Sequence, residues 1–506
     1  MKKNFLTVAA MSVVAFFAAT EIAKAADVTF SGQIRTRWEV NEQSATAAVV
    51  ANGGVSAVSA ARPGFNNTPD DFVSTRVRLN ADVNINDSTS AFIQLQSVRT
   101  WGQASGGLST GTGNGGSGNA SGTNSDADAS VGVHQAYFTL KNFANLPMDA
   151  KIGRQQVVLD GHRLFGHTGW AQGAQTHDAV RLTHAHDNMS LVLAYILAQE
   201  DGRAQDPNDV NDSEVYLAHF NYKGILGGQF SAIYAYLDNG CSPVAASATN
   251  SCSNGNNETH TIGGRQAGQL FGIDYRGEIY YQFGEADGVA NVAGLGATGV
   301  AAGAGTPSVD RSAYMFGVRV GKTFNNVMFK PGITVWYDYL SGTTDEDQRN
   351  GDWKSFNTLF DTGHKFYGLM DVFGAVGGGA AAGTRGLGLQ DVAVKVKLNP
   401  MPGWTFKADV HAFLTAEGIG TNGATSGVVE AALTTPGGQN HKSYLGHEVD
   451  LTLVNKYNAN TNISVGYSNF NANDNLRALR GNGTVVGSSS DANWAYVQFD
   501  VKRSEE

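Results

Sequence analysis

Charged side chains recur at every second residue in several separate stretches of this chain, and their types define the chemistry available. Arg35 and Arg37 precede Glu39, and Arg76 and Arg78 precede Asp82; Asp274, Arg276 and Glu278 stand together, as do Lys395 with Lys397 and Lys407 with Asp409. Arg181, Arg265, Arg319 and Lys330 are further basic positions of this kind, and Asp338, Asp391, Glu448 and Asp450 further acidic ones. Guanidinium and ammonium groups beside carboxylates handle ions: they attract and orient charged solutes without reacting with them. Enzyme motifs such as G-x-S-x-G, a phosphate-binding loop or H-E-x-x-H do not occur, so no catalytic residue is assigned and the chain reads as a non-enzyme.

The elements that must position these charges are strands. In LGHEVDLTLVNKYNANTNISVGYSNF (445–470), Leu445, Val449, Leu451 and Leu453 share one parity and Glu448, Asp450 and Thr452 the other. That is the period-two pattern of a strand with two unlike faces. Residues 457–460 reverse the chain, and Ile463, Val465 and Tyr467 repeat the pattern on the return. Near the N-terminus, Phe30, Ile34, Trp38 and Val40 oppose Gln33, Arg35, Arg37 and Glu39; Val73, Thr75, Val77, Leu79 and Val83 oppose Arg76, Arg78, Asn80 and Asp82. Strands of about ten residues cross a bilayer when tilted, with the apolar parity toward lipid and the polar parity toward a lumen. All the charged positions named above fall on the lumen parity, giving basic residues a small excess over acidic ones.

Composition agrees. Charged residues make up 16% of the chain and Gly 63 of 506 residues, against ~25% and ~7% in soluble proteins. No apolar run reaches the ~18 residues of a helical span. The start, MKKNFLTVAAMSVVAFFAATEIAKA, has the order of a secretory signal peptide cleaved after Ala25, leaving one domain over 26–506. Removing it takes the formal charge from −10 to −12, which speaks against nucleic-acid binding. Cys241 and Cys252 lie in a polar loop of an exported chain, where a disulfide is expected.

Connections fall into two classes, long Gly/Ser/Asn tracts such as 102–131 and tight turns such as Asn86-Asp87-Ser88. In outer-membrane barrels the long loops are extracellular, the short turns are periplasmic, and the two alternate. That alternation demands a weak strand at Thr259–Gln266 with a turn at Ala267-Gly268-Gln269, although propensity alone would miss it. The strand pattern AKIGRQQVVL (150–159) is read as one strand, and Pro331 as a bulge within another. The expected fold is all-β, a transmembrane antiparallel barrel of about 18 strands with long extracellular loops and short periplasmic turns.

Three stretches resemble a known family: GRQQVVLDGHRLFGHTGW (153–170), WKSFNTLFDTGHKFYGLMD (353–371) and the closing LGHEVDLTL…ISVGYSNF. Together they look like the alginate export porins of Gram-negative outer membranes, from about residue 72 to the C-terminus. The resemblance implies a monomeric barrel that passes solute through an electropositive pore narrowed by loops. The mixed lumen charge departs from a polymer exporter, for which a denser Arg lining would hold successive carboxylates, and suits a smaller or less charged solute.

Arg154, Asp160, His162 and Arg163 precede an external loop similar to the family's infolded segment. They read either as a constriction of fixed charges or as a network holding the loop to the wall, and phase leaves the facing of Arg154 open. In FNTLFDTGHKFYG, Phe356, Phe360, Phe366 and Tyr367 with Asp361, His364 and Lys365 would either stack sugars or plug the loop into the barrel. Asp206, Asn208, Asp209, Asn211 and Asp212, and Asp345, Glu346 and Asp347, could bind calcium or form solvated acidic loops. His184, His186 and Asp187 lack metal-site spacing; no other metal or cofactor is expected. The functional expectation is an outer-membrane porin for small or anionic solutes, including saccharides, set in membrane lipid and lipopolysaccharide. The alternative is a non-conducting surface-binding or scaffold barrel.

Overall fold

The structure, a computed structural model, describes residues 27–42, 70–101, 131–199, 213–239, 258–287, 308–344, 347, 350–373, 384, 386–418, 443–473, 475–476 and 491–503. The expected signal (1–25), Cys241 and Cys252, and the acidic positions 206–212, Asp345 and Glu346 lie outside the described residues.

The chain forms β1 (Asp27–Asn41), β2 (Asp70–Asn86), β3 (Thr89–Thr100), β4 (Gly132–Leu140), β5 (Asp149–Gln155) and β6 (His177–His186). It continues as β7 (Met189–Gln199), β8 (Ser213–Ile225), β9 (Gly228–Asn239), β10 (Glu258–Leu270), β11 (Ile273–Asp287), β12 (Ser308–Thr323) and β13 (Gly332–Leu340). After the two-residue β14 (Asp352–Trp353) come β15 (Leu389–Leu398), β16 (Trp404–Leu414), β17 (Tyr444–Lys456), β18 (Thr461–Ala472) and β19 (Asp491–Arg503). Each wall strand pairs antiparallel with the next, β13 pairs with β15, and β19 returns to β1 with Arg35 opposite Asp500 and Trp38 opposite Val497. Only β14 lies outside this ring, pairing parallel with the end of β12, so the wall is a closed antiparallel barrel of 18 strands.

Closure satisfies every strand edge, which a bilayer requires because lipid offers no hydrogen bonds. The period-two reading of the wall holds along most strands: Ile279 is 63% exposed while its neighbours Glu278 and Tyr280 are 5% and 2% exposed. Leu445, read on the outer parity, is instead fully buried in the interior core, because Gly446 at φ 147° breaks the alternation. Exposed Phe30, Ile34, Val77, Leu79 and Ile262 form the lipid face on other strands. Loop parity holds as well, since the weak strand is present as β10, in register with β9 and β11. Its turn, however, lies at Phe271-Gly272. Gly268 continues the ladder because it packs directly against Gly228, a closeness that no Cβ would permit.

Two further readings need correction. Pro331 precedes β13 rather than bulging it, and Lys330 sits in the periplasmic turn at φ 45°, exposed instead of lining the lumen. The strand read over 150–159 stops at Gln155. Gln155 turns its amide back to the carbonyls of Lys151, Gly153 and Ala179. Residues 156–176 then leave the wall and run into the lumen, where Val157 and Phe165 are fully buried.

Candidate functional site

Two segments fill the barrel interior: residues 156–176 between β5 and β6, and residues 354–373 after β14. They meet in a short parallel seam at Phe165 and Phe360. Gly166 N–H donates to Phe360 O at 2.8 Å, Phe360 N–H to Leu164 O at 2.9 Å, and Thr362 N–H to His162 O at 3.1 Å. Around the seam Leu159, Leu164, Phe356, Leu359, Phe366, Tyr367 and Met370 pack against inward-facing Ile196, Val215, Leu217, Ile233, Ala313 and Met315 of the wall. The barrel thus has an apolar core inside its lumen. The aromatics of FNTLFDTGHKFYG take the packing role of the two read from sequence: Phe356, Phe366 and Tyr367 are each 1% exposed.

Arg163 ties this core together. Its Nε and Nη2 donate to Glu278 Oε1 at 3.1 and 3.0 Å, Nη2 also to Asp338 Oδ2 at 2.6 Å, and Nη1 to the Tyr367 hydroxyl at 2.7 Å. Its guanidinium also stacks 3.8 Å over Phe366. One side chain therefore joins segment 156–176, segment 354–373, β11 and β13. Burial alone would lower its pKa, but Asp338, Tyr367 and Glu278 outweigh that and raise it well above the ordinary value. Asp160 makes a second clamp, accepting from Ser231 Oγ at 2.5 Å and lying 3.1 Å from His219 Nε2. Burial would raise this carboxyl, yet His219, Ser231 and Arg265 together hold it below its usual range. His162, its ring 4.9 Å from that of His167, is pushed down to about 4 by burial, Lys365 and His167.

Of the four residues expected at a constriction, Arg154 is not brought there. It pairs opposite Asp178 on β6, in bidentate contact at 2.9 and 2.7 Å, on the same face as lipid-facing Val180. Gly153, at φ 121°, breaks the local alternation that its phase was read from.

The Arg ladder of β1 and β2 faces inward as expected, but backbone occupies it. Arg35 donates to the carbonyls of Gly169, Trp170 and Ala171 at 2.8, 2.8 and 3.0 Å and to Gln172 Oε1 at 2.9 Å. Arg76 reaches Ala171 O at 3.1 Å, and Arg37 holds Glu39 at 2.6 Å while lying 4.1 Å over the Trp170 ring. Trp170 also stacks on His364 at 4.4 Å and meets Trp494 and Tyr496 edge-on. Arg78 donates to Gln96 Oε1 at 2.7 Å beside His134.

Glu448 and Asp450, also read as pore-lining, accept the amides of Met370 at 2.8 Å and Leu369 at 3.4 Å. Gly368 stands at φ 86°, and a Cβ there would run into the Glu448 carboxylate. Gly368→Ala is expected to cost at least ~1–2 kcal/mol, from the left-handed backbone plus displacement of a buried carboxylate. A lowered thermal midpoint for loss of tertiary signal, with strand content unchanged, checks it.

On the opposite wall the basic groups are less occupied. Arg276, Arg319 and Trp336 are successive cross-strand partners, and the Arg319 guanidinium lies 2.9 Å over the indole. Arg265 Nε, Arg276 Nη2 and Arg319 Nε and Nη2 are buried without a hydrogen-bond partner among the described residues. Lys395 pairs with Asp409 at 2.8 Å. Arg181 is half-buried, while Asp82, Asp274, Lys397 and Lys407 are exposed toward the periplasmic end of the lumen. Asp391, fully buried, holds His411 at 2.8 Å. Outside this site, Asp347 accepts from Lys354 at 2.6 Å; His186 and Asp187 pair at 3.3 Å in an exposed turn, next to His184, which reaches Pro147 O.

The family model described as alginate export matches residues 56–484. Among solved structures the chain is similar to OccK3 (OpdO) of Pseudomonas aeruginosa, at 10% identity and a TM-score of 0.50 over 94% of this chain and 96% of that one. It is also similar to OccK8 (OprE) of the same organism, at 12% identity and 0.48 over 94% and 98%. OccAB1 of Acinetobacter baumannii aligns at 12% identity and 0.48 over 94% and 96%. No curated protein matches the chain by sequence. The family match spans all but the ends of a wall that closes on itself and shows lipid an apolar face: the chain belongs to the alginate export family, and it is an outer-membrane channel for small solutes.

Proposed function

We propose that this channel passes small carboxylate-bearing solutes, short acidic saccharides among them, down their gradient and without chemistry. One observation carries the reading. Glu278 and Asp338 are held by Arg163 and Glu448 and Asp450 accept backbone amides, with one oxygen each of Glu278, Asp338 and Glu448 left without a hydrogen-bond partner among the described residues. The cations facing them, Arg265, Arg276 and Arg319, keep unpartnered N–H groups, and Lys365 of the infolded segment is exposed. Partial burial and then the positive charges of Arg276, Arg265 and Arg163 lower the pKa of the Lys365 ammonium, a sign of crowded positive charge. Around Lys365 the cations Arg163, Arg265, Arg276 and Arg319 face Glu278 and Asp338, a local excess of positive charge. A carboxylate passing here supplies the missing acceptors, at less desolvation cost than a cation would meet.

Planar-bilayer recording of the refolded chain in a salt gradient tests this. The wild type is expected to be anion-selective and blocked by short uronates. Arg265→Glu with Lys365→Glu should lower the anion-to-cation permeability ratio about tenfold, the effect of ~1.4 kcal/mol on a barrier. Cation preference in the wild type would sink the proposal. A second reading, a scaffold barrel that conducts little, draws on the apolar core packed inside the lumen; absence of conductance would favour it. One chain closes the wall by itself, which supports a monomer set in lipid and lipopolysaccharide. The apolar run behind Lys2 and Lys3 supports export through a cleaved signal.

A further inference from the structure

Asp361 lies in the seam that joins the two infolded segments. Both of its chain neighbours, Phe360 and Thr362, bond across to the other segment, and its own carboxyl side chain is buried, the residue being 4% exposed. The cation acting on it is Arg163, whose Nε, Nη1 and Nη2 already donate to Glu278, Tyr367 and Asp338. Charges of both signs lie in this part of the lumen, Lys365 on the same segment and Arg265, Arg276 and Arg319 on the wall among them. Asp371 and Tyr367 lie on its own segment, with His364 held by Asp371 at 2.9 Å. On the wall, Glu278 of β11 and Asp338 of β13 are held by Arg163 with Arg276 and Arg319 at 3.9 and 3.6 Å, and Glu448 and Asp450 of β17 accept the amides of Met370 and Leu369. Thr358 supplies the side-chain hydrogen bond to Asp361. Among the described residues no cation hydrogen-bonds the Asp361 carboxyl, so its ionised form would be a buried carboxylate held by Thr358 and not by a cation, at the point where the segments must stay joined.

We propose that Asp361 is a proton-operated latch: protonated, it lets the seam close, and ionised, it loosens the two segments from each other and widens the route past them. The inference is independent of which ions the channel prefers.

Burial, aided by Asp371 and opposed by Arg163 and Thr358, raises the Asp361 carboxyl to about 7 when the seam is closed. In an opened seam it returns to the ordinary value of about 3.9. The closed form therefore binds the proton more tightly. Closure is strongest below about pH 4, weakens by up to about tenfold per pH unit toward about pH 7, and changes no further above that. Acid shuts the latch and neutrality releases it. His162, lowered to about 4, stays uncharged over the upper part of this window.

Amide hydrogen exchange on the full-length refolded protein in lipid, corrected for intrinsic rates, tests the latch directly. Peptides covering 159–168 and 356–362 should lose protection progressively from about pH 5 to about pH 7, while wall strands keep theirs. Asp361→Asn, which mimics the protonated acid, should hold the low-pH protection throughout, and in bilayers its conductance should not rise with pH as the wild type's does. Flat protection of these peptides in the wild type overturns the proposal, and that result needs no variant to fold. An unchanged pH slope in Asp361→Asn overturns it equally.

Discussion

Arg163→Ala is expected to release the infolded segments while leaving the barrel standing. The guanidinium hydrogen-bonds Glu278 and Asp338 at 2.6–3.1 Å, closer than Arg276 or Arg319 approaches them, and all three side chains are at most 1% exposed. Removing one partner of a buried ion pair typically costs ~3–5 kcal/mol, because the other charge stays desolvated and unpaired. Here two carboxylates are left with only the longer contacts to Arg276 at 3.9 Å and Arg319 at 3.6 Å, and the Tyr367 hydroxyl and the Phe366 ring lose their partner too. The cheapest relief is for the segments to swing away and let water reach Glu278 and Asp338. Strand content by circular dichroism should persist, because no wall ladder involves residue 163. Single-channel conductance should rise several-fold and become noisier, and exchange protection over 159–168 should collapse. Arg163→Met, of similar length without charge, should behave like alanine, whereas Arg163→Lys should recover only part, since an ammonium cannot reach three acceptors in a plane. Unaltered conductance and protection in Arg163→Ala would show that packing alone holds the segments.

Much of this molecule was legible in the chain because a barrel wall writes itself as a period of two. The facing of Arg35, Arg76, Glu278 and Asp450 follows from parity, and loop alternation even located β10, whose glycines hide it from propensity. What fills the lumen was less legible, though a signal existed. In LVLAYILA of β7 both parities are apolar: Leu193 is 38% exposed toward lipid, while Val192, Ala194, Ile196 and Ala198 point inward and are buried. Val215 with Leu217, and Ile233 with Ala235, repeat this on β8 and β9. A water-filled lumen would not carry such a face, so an apolar inner wall announces a packed plug. The partners of Arg35, Arg76, Glu448 and Asp450 were hidden for another reason. They are main-chain carbonyls and amides, which every residue type offers alike. Counting side-chain charges therefore gave near balance, whereas in the folded lumen main-chain groups occupy acids and bases alike, and the cations that keep open N–H groups cluster at Arg265, Arg276 and Arg319.

The second large effect is expected at Arg35, where substitution should free residues 169–172 from the wall of β1 and β2. Four donor contacts leave this one side chain, three of them to consecutive carbonyls that turn inward together. Hydrogen bonds to a charged group contribute ~1.5–3 kcal/mol each, but they are not additive. Arg37, Arg76 and Arg78 stand close by, so removing one positive charge also relieves repulsion. The net cost of Arg35→Met is expected to be ~2–4 kcal/mol for the segment, near the value for one or two of these bonds. Arg35→Lys separates the causes. It restores the charge but not the planar fork, so if geometry matters it should recover less than half of the loss, and if charge matters nearly all. Stacking of Trp170 on His364 reports the outcome, because that contact depends on residues 169–172 keeping their place. In Arg35→Met exchange protection at 169–175 should fall and conductance should rise, while the seam at Phe165 and Phe360, held separately by Arg163, should keep its protection. Loss of protection at both places at once would mean that the two infolded segments are a single cooperative unit with no independent anchors.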